Sequence, residues 1–315
     1  GSGRPHGRPR SGNARVGSRL LSLLPSPVAA WVEEALGPDA WIVGMDAVSG
    51  THLNAVHTVE AALGKAGMAS FVVKRFPAEP PDEQVRAVTR EATNLELLAT
   101  SAVPAPRLVA ADPTGSDAGE PTLIMQRLPG AVVLDPPAVE VWLRGMAALL
   151  PAVHEVVVPI GAEVRPFATY NNVDDLDVPI WTVDPAWWTF VLETAGSPAP
   201  ESARSFIHRD FHPGNVLWLG DSTSGLIDWE PASIGPSAMD LAHCRLNLAR
   251  LYDVAVADAF RSTHATLAGG YEHQPYFDLL AVVDTLPQAL PPYGGVLTPH
   301  RAKLEAYVRS VVRRF

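Results

Sequence analysis

The chain has 315 residues, 34 acidic against 24 basic side chains, and a formal net charge of −10. A hydrophobic fraction of 47% beside 18% charged excludes a disordered chain, and the acid excess argues against a dedicated nucleic-acid binder. The single cysteine, Cys244, excludes a disulfide framework and a multi-cysteine zinc site, and no apolar run reaches the roughly 18–20 residues of a membrane helix.

The length suggests two domains or two lobes of one fold. Residues 1–19 carry five Arg and no acid among Gly and Ser, which reads as a disordered tail whose GSG start looks like a cloning remnant. Leu20–Leu24 stops at Pro25, too short for a signal-peptide core, so the expected location is the cytoplasm. With 21 Arg, the three lysines Lys65, Lys74 and Lys303 are conspicuous.

Ser26-Pro27 reads as an N-cap followed by Pro at the first position of a helix that runs to Leu36 and ends at Gly37-Pro38. Short apolar runs follow at Trp41–Val43, Ala55–Leu63 and Ser70–Phe76, separated by the turn-like Ser49–Asn54 and Gly64–Gly67. They predict an antiparallel meander of three strands. Val85, Val88, Ala92, Leu95 and Leu98 recur at helical spacing within Asp82–Thr100. Arg107–Ala111 and Thr122–Gln126 read as two further strands joined by a polar loop. Leu128-Pro129-Gly130 breaks the pattern and is the expected hinge between an N-terminal lobe (20–127) and a C-terminal lobe (128–315). Helices are predicted over 137–155, 185–195, 237–250, 253–268, 275–284 and 299–314, with very short strands around Ile207, Val216–Trp218 and Leu226–Ile227. The Pro-rich segment 156–184 reads as a lid or substrate loop. The fold class is α+β, with about five antiparallel strands and one inserted helix, then a larger, mainly helical part.

The chemistry concentrates in His208-Arg209-Asp210-Phe211-His212-Pro213-Gly214-Asn215 and in Asp228 of Leu226-Ile227-Asp228-Trp229-Glu230. An Asp, an Asn five residues on and a second Asp beside a short strand form a phosphoryl-transfer layout. Mg²⁺ is a hard cation that wants oxygen ligands, which Asn215 and Asp228 supply. Asp210 is the carboxylate that can orient an attacking hydroxyl.

On these residues the chain resembles the aminoglycoside phosphotransferase/choline kinase family, the small-molecule branch of the protein-kinase-like fold. The resemblance implies a small β-rich N-lobe, a larger helical C-lobe and a nucleotide in the cleft. It implies that Lys74 contacts the α/β-phosphates and that Glu91 is its partner, with Glu96 the runner-up. Ser49, Gly50 and Thr51 stand where the phosphate-covering loop belongs. The carbonyl of Gln126 and the N–H of Leu128 would meet the purine edge, with Met125 bordering the base. Asp240 would brace the catalytic loop, His208 would be scaffold, and His154 would pack.

Arg209 departs from the Gly that the antibiotic-kinase branch mostly has, and Glu230 replaces the Gly of D-F-G. No A-P-E-like segment follows Asp228, which favours a small-molecule acceptor over a protein. The implied reaction is Mg²⁺-dependent transfer of the γ-phosphate of a nucleoside triphosphate, ATP favoured over GTP, to a hydroxyl. The acceptor stays open among an aminoglycoside or other antibiotic, a choline-like aminoalcohol, a sugar and homoserine; no nucleic-acid or membrane partner is expected. A catalytically silent nucleotide-binding protein of this fold is the alternative from another class. The H-x-D-x-H of His208, Asp210 and His212 also resembles a zinc pattern, which would leave Lys74, Glu91, Asn215 and Asp228 without a role. Trp181, Trp187, Trp188 and Phe190 read either as core or as acceptor wall. Residues 131–210, with 11 acids against 4 Arg, either attract a cationic substrate or are simply solvated.

Overall fold

Val28, Trp31 and Val32 fall on one side of a helix and are buried, whereas Ser26, Ala30 and Glu34 are exposed. That helix, α1 (Ser26–Leu36), lies in the first of two units seen in a computed structural model that describes residues 24–48, 55–77, 79–269, 272–289 and 299–315. The first unit comprises residues up to Ala92 together with Leu108–Arg127, and the second comprises Thr93–Arg107 and Leu128–Phe315.

In the first unit β1 (Ala40–Ala47), β2 (Ala55–Leu63) and β3 (Met68–Arg75) form the predicted meander. Helix α2 (Pro81–Leu98) follows, its last turns from Thr93 counted with the second unit, then β4 (Leu108–Asp112) and β5 (Thr122–Gln126). The sheet order is β1-β2-β3-β5-β4, antiparallel throughout. Alternation along β2 buries His57, Val59 and Ala61, and Val59 and Ala61 join Phe71, Val73, Ile124 and the α1 side chains in one core. The polar loop after β4 is organised by Asp112, whose carboxylate accepts the N–H groups of Ser116, Asp117 and Ala118. Ser26 differs from expectation: Pro25 occupies the cap position and no side chain caps the helix, because Ser26 already lies inside the first turn.

The second unit holds α3 (Val139–His154), α4 (Pro185–Ala195), α5 (Ala238–Leu251), α6 (Val254–Leu267), α7 (Pro275–Ala289) and α8 (Pro299–Val312). Helix α5 is central, buried on nearly every side from Ala238 to Ala249. Its Arg245 is fully buried, and two carboxylates, Asp258 at 2.8 Å and Asp278, compensate its charge. Two small sheets flank the helices. One orders β6 (Ala131–Val132), β8 (Val216–Leu219) and β9 (Ser222–Leu226); the other pairs β7 (Arg204–Ile207) with β10 (Ser233–Pro236). At the expected hinge Gly130 takes φ +102°, and a Cβ there would sit 2.5 Å from the Trp218 carbonyl oxygen, so only glycine fits.

Candidate active site

Strand β7 ends at Ile207, and the chain turns sharply because Arg209 adopts a left-handed backbone at φ 72°. Such a conformation is costly for a non-glycine residue and persists only where its surroundings hold it. Asp240, in the first turn of α5, does so. Its Oδ2 accepts the N–H of His208 at 2.9 Å, its Oδ1 that of Arg209 at 2.8 Å, and His154 Nε2 lies 3.0 Å from Oδ2. Burial would raise the Asp240 pKa, but the hydrogen bond and charge of His154 and the N–H of His208 bring it below the usual carboxylate value.

His208 is completely buried, and that burial lowers its pKa and keeps the ring neutral. Its Nε2 donates to the Ile227 carbonyl at 3.0 Å, and its Nδ1 accepts the Asp210 N–H at 3.3 Å. Both ring nitrogens are thus committed to backbone groups, which leaves none for a zinc ion.

Asp210 lies at the turn, with about a third (31%) of its side chain exposed. His243 Nε2 lies 3.0 Å from its Oδ1, Asn215 Nδ2 donates to its Oδ2 at 3.0 Å, and His212 Nε2 lies 3.6 Å from Oδ2. Burial alone would push the Asp210 carboxyl up. The hydrogen bonds and charges of His212 and His243 outweigh this and hold it well below the usual range, so the group is ionised. His212 is oriented by its own loop, its Nδ1 accepting the Gly214 N–H at 3.0 Å. The loop closes as a 3₁₀ turn over Pro213–Asn215.

Asn215 and Asp228 come together through the backbone: the Ile227 N–H donates to the Asn215 carbonyl at 3.0 Å. Asp228 follows at once, at φ 69°. Trp229 beyond it is fully buried, with its indole N–H on the Leu226 carbonyl at 2.8 Å and its own carbonyl accepting from Asn94 at 2.8 Å. The Asn215 amide nitrogen also donates to the Asp210 carbonyl at 2.9 Å, which leaves Oδ1 as the oxygen available for another partner.

In the first unit Lys74, near the end of β3, pairs with Glu91 of α2, Nζ to Oε2 at 2.7 Å. Glu91 shares the buried stripe of α2 with Val88 and Leu95, whereas Glu96, the runner-up, is exposed. Gln126 ends β5 and is exposed; Leu128 follows as the first residue of the second unit's main segment. Ser49, Gly50 and Thr51 lie outside the described residues, as does the 1–19 tail. Trp181 and Trp188 are core, packed edge to face at 5.4 Å, and Cys244 is fully buried.

Sequence reasoning missed His243. It lies one turn beyond Asp240 on the same helix, and that i, i+3 spacing was the available signal. It also missed Asp284 of α7, whose Oδ2 meets Arg209 Nη2 at 2.6 Å.

Among the described residues no helix is long and apolar enough to cross a membrane. The N-acetylmuramate/N-acetylglucosamine kinase of Pseudomonas aeruginosa is 30% identical over 187 residues, which cover 56% of this chain and 53% of that protein. The chain therefore aligns with about half the length of that curated relative. Three solved structures share the fold. The aminoglycoside phosphotransferase APH(4)-Ia matches with TM-score 0.60 and 19% identity over 91% of this chain and 98% of that one. A thermostable mutant of it, in ternary complex with AMP-PNP and hygromycin B, matches with TM-score 0.60 and 18% identity over 92% and 98%. The macrolide 2′-phosphotransferase of Brachybacterium faecium matches with TM-score 0.58 and 15% identity over 91% and 98%. The family described as the phosphotransferase enzyme family (APH) matches residues 55–276, more than half of the chain, and the chain belongs to that family.

Proposed function

We propose that the protein is a Mg²⁺-dependent small-molecule kinase that moves the γ-phosphoryl group of a nucleoside triphosphate, ATP in preference to GTP, to a hydroxyl of a sugar. The observation that carries this reading is the linked set Asp210–Asn215–Asp228. An ionised carboxylate hydrogen-bonded to Asn215, and a second carboxylate tied to the same Asn through Ile227, supply one oxygen group for the acceptor and two for a metal.

Asp210 accepts a hydrogen bond from the acceptor hydroxyl and aims its oxygen lone pair at the γ-phosphorus. The acceptor O–P bond forms as the bond between the γ-phosphorus and the β–γ bridging oxygen breaks. The nucleoside diphosphate leaves with that electron pair, and the hydroxyl proton passes to Asp210. A carboxylate held well below its usual pKa is a weak base, so it orients the hydroxyl early and takes the proton late. That timing suits a loose phosphoryl-transfer transition state, where positioning and charge neutralisation dominate.

Asn215 Oδ1 and the Asp228 carboxylate are hard oxygen donors, a set that fits Mg²⁺ shared with phosphate oxygens. When bound, the ion would supply positive charge that neutralises the phosphate oxygens. Lys74, paired with Glu91, takes the α/β-phosphates; the Gln126 carbonyl and Leu128 N–H take the purine edge; Ser49, Gly50 and Thr51 complete the phosphate side. The AMP-PNP in the solved neighbour favours ATP. The sugar is favoured because the 30%-identical relative is a sugar kinase, whereas the antibiotic-kinase structures share the fold at under 20% identity.

The test is nucleoside-diphosphate release from Mg-ATP with N-acetylglucosamine and N-acetylmuramate as acceptors, with mass spectrometry of the product. Asp210→Asn is expected to lose at least about 100-fold in turnover while nucleotide affinity stays within about threefold. Intact turnover in that variant would overturn the assignment of Asp210.

A further inference from the structure

Arg209 does more than turn the chain. Its side chain is buried, 2% exposed, and ends between two rings: the guanidinium carbon lies 4.7 Å from the centroid of Phe167 and 4.1 Å from that of Tyr170. Its Nη2 pairs with Asp284 at 2.6 Å and donates to the Ala168 carbonyl at 3.2 Å. One side chain, next in sequence to Asp210, therefore anchors the strap 165–171.

The strap is pinned at both ends as well. On one side Phe167 N–H donates to the Ile234 carbonyl at 2.9 Å, and Ile234 N–H to the Arg165 carbonyl at 2.9 Å. Gly235 permits this approach, since a Cβ there would lie 2.4 Å from the Phe167 Cβ. On the other side the Tyr170 N–H donates to Asp284 Oδ1 at 3.0 Å, and Asn171 Nδ2 to the carbonyls of Val283 and Asp284. Segment 165–171 thus lacks regular secondary structure yet is fixed to β10, to α7 and to the catalytic loop.

Fixed so firmly, Tyr170 nevertheless keeps 55% of its surface open, although one ring face is covered by the guanidinium. The ring also belongs electrostatically to the catalytic loop. Partial burial raises its phenol pKa, the guanidiniums of Arg209 and Arg165 oppose the rise, and the carboxylates of Asp210 and Glu230 add to it. An ordered, solvent-facing aromatic ring within the field of the phosphoryl-transfer carboxylate is placed to hold something that reacts there.

We propose that Tyr170, locked by Arg209, is the specificity-determining platform on which the acceptor stacks, and that the acceptor offers it an uncharged ring face such as that of a pyranose. The assignment rests on the kinase reading above. Its charge preference follows from the stack. Arg209 already occupies one face of the ring and draws on its π density, so a second cation on the other face would meet like charge through the ring. The axial C–H groups of a pyranose carry no such penalty and bury apolar area against the ring.

The test compares N-acetylglucosamine with glucosamine, the same ring bearing an ammonium group, in steady-state kinetics with Mg-ATP. Wild-type, Tyr170→Ala and Tyr170→Phe proteins are used, with nucleotide affinity measured separately by calorimetry. The wild type is expected to favour the uncharged sugar at least tenfold in kcat/KM. Tyr170→Ala is expected to raise the sugar KM at least tenfold, with a smaller change in kcat and no change in nucleotide affinity; Tyr170→Phe, which keeps the ring, should stay within about threefold of wild type. An unchanged KM in Tyr170→Ala, equal damage from Tyr170→Phe, or a preference for glucosamine overturns the platform while leaving the kinase reading intact. A wild-type protein that binds no nucleotide overturns the kinase reading and the platform with it.

Discussion

His243 Nε2 lies 3.0 Å from Asp210 Oδ1, and this contact ties the central helix α5 to the 208–215 loop. The loop meets α5 twice, through Asp240 at its backbone and through His243 at the Asp210 carboxylate. Asp240 fixes where the loop runs, and His243 fixes which way the Asp210 carboxylate faces.

Removal of His243 should therefore cost orientation more than folding. His243→Ala frees one oxygen of Asp210, and small displacements at a reacting group cost about 10- to 100-fold in rate. The expected outcome is a fall of that size in kcat with nucleotide affinity unchanged, partly recovered by His243→Gln, which keeps a donor. Wild-type kcat in His243→Ala would contradict the positioning role.

The Lys74–Glu91 pair separates stability from function. Its side chains are 6% and 1% exposed. Loss of one partner of a buried pair typically costs about 3–5 kcal/mol, because the other charge is left uncompensated, whereas apolar replacement of both is often neutral. Glu91→Leu should be strongly destabilised. Lys74→Met/Glu91→Leu should recover most of the denaturation midpoint yet bind Mg-nucleotide at least tenfold more weakly than wild type. A double variant with wild-type nucleotide affinity would remove Lys74 from the phosphate site.

Acid should weaken the fold before the carboxylates titrate. Burial lowers the His264 pKa from 6.5 to about 4, so between these values the unfolded chain binds a proton that the folded chain does not. The contribution is complete above pH 6.5 and is lost as pH falls. At about 1.4 kcal/mol per unit the loss amounts to about 2 kcal/mol by pH 5. His208, with its pKa lowered by burial, adds to the same trend; Asp240 and Asp278, held below the usual carboxylate value against the effect of burial, add theirs at lower pH. Denaturation midpoints at pH 7 and pH 5 should show a smaller drop for His264→Gln than for wild type. Equal drops would contradict the shift.

The legible parts of the site were those that the chain writes locally. The 208–215 loop and Asp228 stand at fixed spacing in sequence, and strand β2 shows its buried face by alternation. The strands that escaped notice, β6 and β10, are two and four residues long, too short to alternate, and β10 contains Gly235 and Pro236, which read as a turn. Arg209 looked like a departure from a glycine position. Its meaning came from Tyr170, Phe167 and Asp284, which lie far away in sequence, two of them in a segment with no periodicity. Contacts of that kind depend on tertiary packing and leave no trace in local composition.

The most direct test of the central claim is a thermal-shift titration with ATP and GTP, with and without Mg²⁺, on wild type and Asp228→Ala. A ligand at 100 times its dissociation constant stabilises by about 2.7 kcal/mol, and each kcal/mol moves the midpoint by roughly 2–4 °C in a chain of about this size. The expected result is a rise of several degrees with Mg-ATP that requires the metal and is lost in Asp228→Ala. No shift with either nucleotide, or an equal shift in Asp228→Ala, would contradict it.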